Sequence, residues 1–362
     1  MAVLILVFLT AFIVVLYSTP ALIKVAVLKR LIDVPTEGRK IHKRSTPTIG
    51  GIIIFAGTLL SFSLWYSIED MQYYDKIFQS VKEFKLIIAS SLILFFVGVK
   101  DDIIGTAPVK KLFAHIVVAL ILVLMGDIRI TSLHGVFGVH DIPNWGSVFL
   151  SIFTYVVVVN AFNLIDGVDG LAGGVGFLIC CTFGFWFVFA NEYPYATLSF
   201  ALAGSLGGFL IFNFSPAKIF MGDSGSLIIG MLICVSAFKL IEYPVQSIEG
   251  IWIHVSKPVF VISALIYPLL DTLRIFIMRS VKGQSPFTAD RNHIHHMLLD
   301  CGYGHAKTVI IIYIFTVLTI ATSFLSYYFK DATLGLITVV ICGLLFLFAV
   351  IWLRNNHRKK AS

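Results

Sequence analysis

The chain is divided by long stretches that contain no Asp, Glu, Lys or Arg. They run over 2–23, 45–68, 86–99, 112–126, 142–165, 170–191, 193–217, 224–238, 258–270, 308–329 and 332–353. A helix needs about 20 apolar residues to cross a bilayer. Seven of the stretches are that long; the four shorter ones extend past a terminal charge by snorkelling or sit beside a charged site. Hydrophobic residues make up 58% of the chain and charged residues 13%. A soluble domain carries roughly 25% charged residues, so this chain lacks the side chains to cover itself in water. That excludes a soluble enzyme, a disordered tail and a nucleic-acid-binding module. The apolar residues come in runs and do not alternate, which excludes an outer-membrane barrel. The expected fold is all-α: a polytopic membrane bundle of about 11 transmembrane helices. Residues 1–353 form one transmembrane domain, and 354–362 a basic cytoplasmic tail.

The net charge of +7 acquires meaning from its placement. With the segment after the first span set inside, 20 of the 27 Lys and Arg fall on the inner side. Basic residues mark cytoplasmic loops, so the N-terminus is expected outside and the C-terminus in the cytoplasm. The first span has no basic stretch before it and is read as retained rather than as a cleaved signal peptide. An outside segment, 127–146, reads as a small hairpin, with Ile128, Ile130 and Val136 to Val139 around Gly135 and Gly138. Of the five cysteines, Cys180, Cys181, Cys234, Cys301 and Cys342, none shows C-x-x-C spacing, so no disulfide framework and no zinc site is expected.

Ionisable residues at span ends are costly and tend to be functional. Here they gather on one side, in inside loops near 40–50, 100–111, 160–171, 213–226 and 279–306. Asp101 and Asp102 end the third span. Asn160, Asn163, Asp166 and Asp169 recur every third residue at the end of the fifth, with Gly167 and Gly170 between them. On a continued helix that spacing is one face. Asp223 opens the eighth span in Phe220-Met221-Gly222-Asp223-Ser224-Gly225-Ser226. Hard oxygen ligands without thiolate suit Mg²⁺ or Mn²⁺, and Mg²⁺ takes one or two carboxylates plus substrate phosphates. Helix capping explains one such Asp well and five poorly. Adjacent Asp101 and Asp102 point about 100° apart, so they are expected to take different partners.

Two other patterns have plain explanations. Gly222 to Ser226 resembles the nucleophile segment of secreted serine proteases, yet it lies between two spans. The glycines from Gly170 to Gly176 lack the βαβ setting of a dinucleotide loop and read as close helix packing. The late loop holds Pro286-Phe287-Thr288-Ala289-Asp290-Arg291-Asn292-His293-Ile294-His295-His296. Zinc sites favour other spacings. His293, His296 and Arg291 are better read as a phosphate-binding patch. Lys43, before the turn Thr46 to Gly51, adds a basic group on the same side.

These four motifs together resemble those of the polyprenyl-phosphate N-acetylhexosamine-1-phosphate transferases (glycosyltransferase family 4), over about 35–304. His293-Ile294-His295-His296 is similar to the N-acetylglucosamine-1-phosphate branch. The muramoyl-pentapeptide branch shows three consecutive histidines and tends to carry Lys where this chain has Gly105. The resemblance implies transfer of N-acetylhexosamine 1-phosphate, most like GlcNAc 1-phosphate, from a UDP-sugar to undecaprenyl phosphate, with release of UMP. It implies a Mg²⁺ cofactor (Mn²⁺ as substitute) and a bacterial inner-membrane location. By position, Asp223 matches the metal-binding Asp, with Asp102 beside it. Asp101 and Asp102 match a catalytic pair, and Asn163 and Asp166 match residues near the metal and diphosphate. Gly167, Asp169, Asn213 and Phe220 match the uridine pocket. His293, His295 and His296 match the loop that contacts phosphate or sugar. A homodimer is compatible with this reading. The competing readings are a phospho-N-acetylmuramoyl-pentapeptide transferase and, in another class, an ion-coupled transporter. A transporter places charges near the midplane and shows repeats; this chain does neither.

Overall fold

The computed structural model describes residues 1–29, 31–33, 46–66, 74–244, 255–283 and 292–361. Among the described residues each apolar run contributes a helix. The helices are α1 Ala2–Leu28, α2 Gly50–Trp65, α3 Tyr74–Ile104 and α4 Pro108–Leu120, the last extended by a π turn over Ile121–Met125. They continue with α5 Asn144–Ile165, α6 Leu171–Phe189, α7 Tyr193–Asn213, α8 Asp223–Glu242 and α9 Lys257–Val281. A short α10, Ile294–Asp300, precedes α11 His305–Ser323, α12 Leu325–Phe329 and α13 Ala332–Ala361. Among the described residues nine helices are long and apolar enough to cross a membrane. The protein is a multi-pass, all-α membrane protein. Among the described residues one short antiparallel pair of strands joins Ile32–Asp33 to Thr46–Pro47.

The bundle is built around α8, where every residue from Ser224 to Phe238 is buried. α2, α3, α5, α7 and α9 pack against it. Small residues allow the approach. A Cβ on Gly51 would lie 2.0 Å from the Gly225 nitrogen, and one on Gly98 2.4 Å from Ser224 Cα. Backbones this close gain dispersion contacts where lipid supplies no hydrophobic drive. The outer helices keep apolar side chains exposed: Phe348 and Leu345 on α13, Phe149 and Trp145 on α5. Such a surface suits lipid and not water. The glycines of α6 are packing positions, with Gly176 against Ile229 and Leu206. All five cysteines are free thiols.

Between α4 and α5 the chain folds back on itself. Leu133 N–H donates to His140 O (2.9 Å) and Ile142 N–H to Thr131 O (2.9 Å). The stripe expected from Asn160 to Asp169 is broken: α5 ends at Ile165, and Asp166 has φ −78° and ψ 49°. Gly167 and Gly170 let the backbone leave the helix, and Gly170 takes φ +81° before α6. Asn160 stays on α5, where its Nδ2 donates to Val156 O of the same helix (2.7 Å).

Candidate active site

The site grows from the N-terminus of α8. A helix start leaves amides without partners and carries partial positive charge. Gly222, at φ 72° and ψ 177°, turns the chain into α8 and offers no side-chain cap. Carboxylates from two other helix ends cap it instead. Asp102, on the last turn of α3, accepts Asp223 N–H at 2.7 Å on Oδ1 and Ser224 N–H at 3.1 Å on Oδ2. Gly222 N–H donates to the Asp166 carboxylate at the end of α5. Three helix ends far apart in sequence therefore meet at 222–224. The segment before α2 closes this corner: Phe220 N–H donates to Pro47 O (2.7 Å), and Gly50 and Gly51 donate to Phe220 O (3.0 Å) and Met221 O (2.8 Å).

Burial, then the neighbouring Asp101 charge, pushes the Asp102 carboxyl up to about 6, against the opposing pull of Ser224. Burial, then the Asp102 charge, pushes Asp166 up to about 7. Carboxylates crowded in this way favour an added cation.

One such cation comes from the chain. The Lys111 ammonium, on α4, lies 3.2 Å from Asp101 Oδ2 and contacts Asp223 Oδ2 directly. Asp223 Oδ1 accepts from Asn163 Nδ2 at 2.8 Å, and the same amide group reaches Ser226 Oγ at 3.0 Å. Adjacent Asp101 and Asp102 do diverge: Asp101 faces Lys111 and Asp102 faces the α8 amides. Among the described residues no three His, Cys, Asp or Glu side chains form a ready metal cage. The donor set still fits a hard divalent ion. Two carboxylates already converge on one ammonium, and Mg²⁺ draws its remaining ligands from water and phosphate.

Beside this cluster lies a second group. Buried Asp169 accepts Ala217 N–H at 3.1 Å on Oδ2, and its Oδ1 is 3.5 Å from His305 Nδ1. Buried Asn213 ties two loops together, accepting Gly170 N–H (3.0 Å) and donating to Ile219 O (2.9 Å). The Tyr313 hydroxyl donates to Gly170 O. Phe220 is half-buried and directly follows Ile219, whose carbonyl Asn213 holds.

The histidine segment reaches the turn at Gly167. His293 caps α10, and His293 and His295 are buried. His295 Nε2 lies 3.0 Å from where a Gly167 Cβ would stand, one residue from Asp166. Burial pushes the His295 imidazole down to about 3, so the ring is neutral at pH 7. The rings of His295 and His296 are 4.4 Å apart. Buried Asp271 on α9 holds the segment, through His293 Nδ1 at 2.9 Å and Ile294 N–H at 2.8 Å. Lys43 and Arg291 lie outside the described residues.

Sequence reasoning passed over Lys111 and Asp271. Lys111 looked like one more inside-loop charge. Asp271 ended an apolar run, whereas α9 continues ten residues beyond it to Val281.

The family model described as Glycosyl transferase family 4 matches residues 84–241. That stretch contains Asp101, Asp102, Lys111, Asn163, Asp166, Asp169, Asn213 and Asp223. The decaprenyl-phosphate N-acetylglucosaminephosphotransferase of Mycolicibacterium smegmatis is 31% identical, over 84% of this chain and 78% of that protein. The Mycobacterium leprae protein of the same name is 29% identical over 96% and 91%. The undecaprenyl-phosphate alpha-N-acetylglucosaminyl 1-phosphate transferase of Escherichia coli K12 is 29% identical over 80% and 74%. With its carboxylates and lysine gathered at one helix start inside the matched region, this chain belongs to glycosyl transferase family 4, alongside the polyprenyl-phosphate N-acetylglucosamine-1-phosphate transferases.

Proposed function

We propose that the protein transfers GlcNAc 1-phosphate from UDP-GlcNAc to a polyprenyl phosphate, undecaprenyl phosphate in a bacterial inner membrane, and releases UMP. A phosphate oxygen of the lipid attacks the β-phosphorus of the donor. The bond from that phosphorus to the bridging oxygen breaks, and its electron pair leaves with UMP. The nucleophile is already ionised at neutral pH, so no base is required. The product opens the assembly of a lipid-linked cell-envelope glycan.

The observation that carries this reading is the meeting of Asp101, Asp102, Asp166, Asp223 and Lys111 at the start of α8. Phosphoryl transfer needs positioning and charge stabilisation more than covalent chemistry. A divalent cation, Mg²⁺ or Mn²⁺, held by Asp223 with Asp101 or Asp102 would offset the diphosphate charge. Lys111 supplies a second positive charge to the transferring phosphoryl oxygens. Asn163 fixes the Asp223 carboxylate, and Asp102 and Asp166 hold the 222–224 turn. Asp169, Asn213 and Phe220 form the nucleoside side, and Gly167 keeps it open toward His295. His293, His295 and His296, with Arg291 and Lys43, serve the sugar and phosphates. The distribution of basic residues supports a cytoplasmic position for this face and an outside N-terminus.

Donor choice tests the reading. Purified protein with undecaprenyl phosphate is given radiolabelled UDP-GlcNAc or UDP-MurNAc-pentapeptide, and butanol-extractable label is counted. Label from UDP-GlcNAc alone supports the proposal. Label from the pentapeptide donor alone would move the protein to the muramoyl branch.

A further inference from the structure

Asp271 lies in the middle of α9 and is fully buried. A carboxylate there is costly unless its oxygens are engaged. Both oxygens turn to the histidine segment. Oδ1 accepts Ile294 N–H at 2.8 Å, and Oδ2 lies 2.9 Å from His293 Nδ1. An ionised carboxylate only accepts, so His293 carries its proton on Nδ1, and Nε2 is the ring nitrogen left for substrate. The His293 ring lies parallel to that of His295, with centroids 5.3 Å apart and 4° between planes. His295 Nδ1 is 3.9 Å from the same Asp271 oxygen and 3.5 Å from the Tyr267 hydroxyl. Its opposite edge, Nε2, meets Gly167. One carboxylate therefore sets one imidazole, whose face sets a second, whose far edge abuts the turn that carries Asp166.

We propose that Asp271 is a positioning residue for the transferase reaction: by holding His293 Nδ1 and the Ile294 amide, it fixes the tautomer of His293 and the placement of the His293–His295 pair against Gly167. This rests on the proposed function and deepens it. Carboxylates that orient metal-ligating histidines have this effect, and their loss costs about 10- to 100-fold; the same scale is taken for a histidine oriented toward substrate. A purely structural role, capping the seven-residue α10, makes a different prediction. Asp271→Asn keeps an oxygen for Ile294 N–H but loses the charged acceptor at His293.

The test is a double-mutant cycle on UMP release with the full-length protein in detergent, using Asp271→Asn and His293→Gln. We expect Asp271→Asn to lower kcat/KM by about tenfold or more in the wild-type background. In the His293→Gln background it lowers it by less than about twofold, because the coupled pair is already broken. An equal loss in both backgrounds overturns the proposal. If Asp271→Asn does not fold, ¹⁵N-imidazole spectra of the wild type decide, with the His293 signals identified by their loss in His293→Gln. A proton on Nδ1 supports the link, and a proton on Nε2 alone overturns it. Absence of UMP release by the wild type counts against the function, while the Nδ1 measurement still judges the hydrogen bond.

Discussion

Replacing Gly222 by Ala strikes the point where the site is assembled. The residue sits at φ 72° and ψ 177°, a region essentially reserved for glycine, and a side chain there costs about 1–3 kcal/mol in strain. An alanine Cβ would also stand 2.1 Å from the Thr48 carbonyl oxygen and 2.7 Å from both Asp102 carboxylate oxygens. Carbon–oxygen contacts normally begin near ~3.3 Å, so the turn must shift by roughly 1 Å. Overpacking of this kind adds about 1–3 kcal/mol, for a total of about 2–6 kcal/mol. The functional cost comes from where the shift falls. Asp102 holds the Asp223 and Ser224 amides, so moving it moves Asp223 relative to Asn163 and Lys111. A displacement of about 1 Å in a positioning group costs on the order of 100-fold in rate. The assay is UMP release at saturating donor and lipid, with a thermal melt in the same detergent. Gly105→Ala is the control. Gly105 also has positive φ, +74°, but nothing lies within 4 Å of its Cβ direction. It should lose about 1–2 kcal/mol of stability and keep turnover. Wild-type turnover in Gly222→Ala would refute the claim that this turn sets the carboxylates.

Other outcomes follow from the same geometry. Lys111→Met keeps the side-chain length but removes the charge between Asp101 and Asp223; we expect kcat to fall by about 100-fold or more, with steady-state kinetics as the check. Divalent-ion affinity should rise with pH. Asp102 and Asp166 are raised from 3.8 to about 6 and about 7, so the empty site holds its protons to higher pH than free carboxyls do, and displacing them costs less as pH climbs through that window. A cation competes with those protons. Calorimetric titration of Mg²⁺ should show tighter binding at pH 8 than at pH 5.5, with proton release; affinity independent of pH would contradict the shifts. Asn213→Ala leaves the Gly170 amide and the Ile219 carbonyl without their partner. Each orphaned group costs about 1–3 kcal/mol, so the melting temperature should fall and donor KM should rise.

Much of this site can be read from the chain because expensive residues announce themselves. Asp101, Asp102, Asp166 and Asp223 stand at the ends of apolar runs, where a charge has to be engaged. Among the described residues each run contributes a helix for the same reason: in lipid, backbone polar groups must pair within their own segment. Context decides the rest. Lys111 has the same chemistry as any positive-inside lysine, and only the packing of α4 against α3 and α5 reveals its partners. The stripe through Asn160 fails because periodicity cannot show that α5 stops at Ile165. Two glycines in the next five residues were the available signal. Asp271 was hidden by a counting rule that ended a span at a charge, while the helix carried that charge through its interior to meet His293.

The central claim, that the α8 start is a phosphoryl-transfer site, is met most directly by UMP release from purified protein given undecaprenyl phosphate and UDP-GlcNAc, with Mg²⁺ or with EDTA. The account predicts UMP only when both the lipid and the divalent cation are present, and none from Asp223→Asn. UMP formed without lipid, or undiminished in Asp223→Asn, would contradict it.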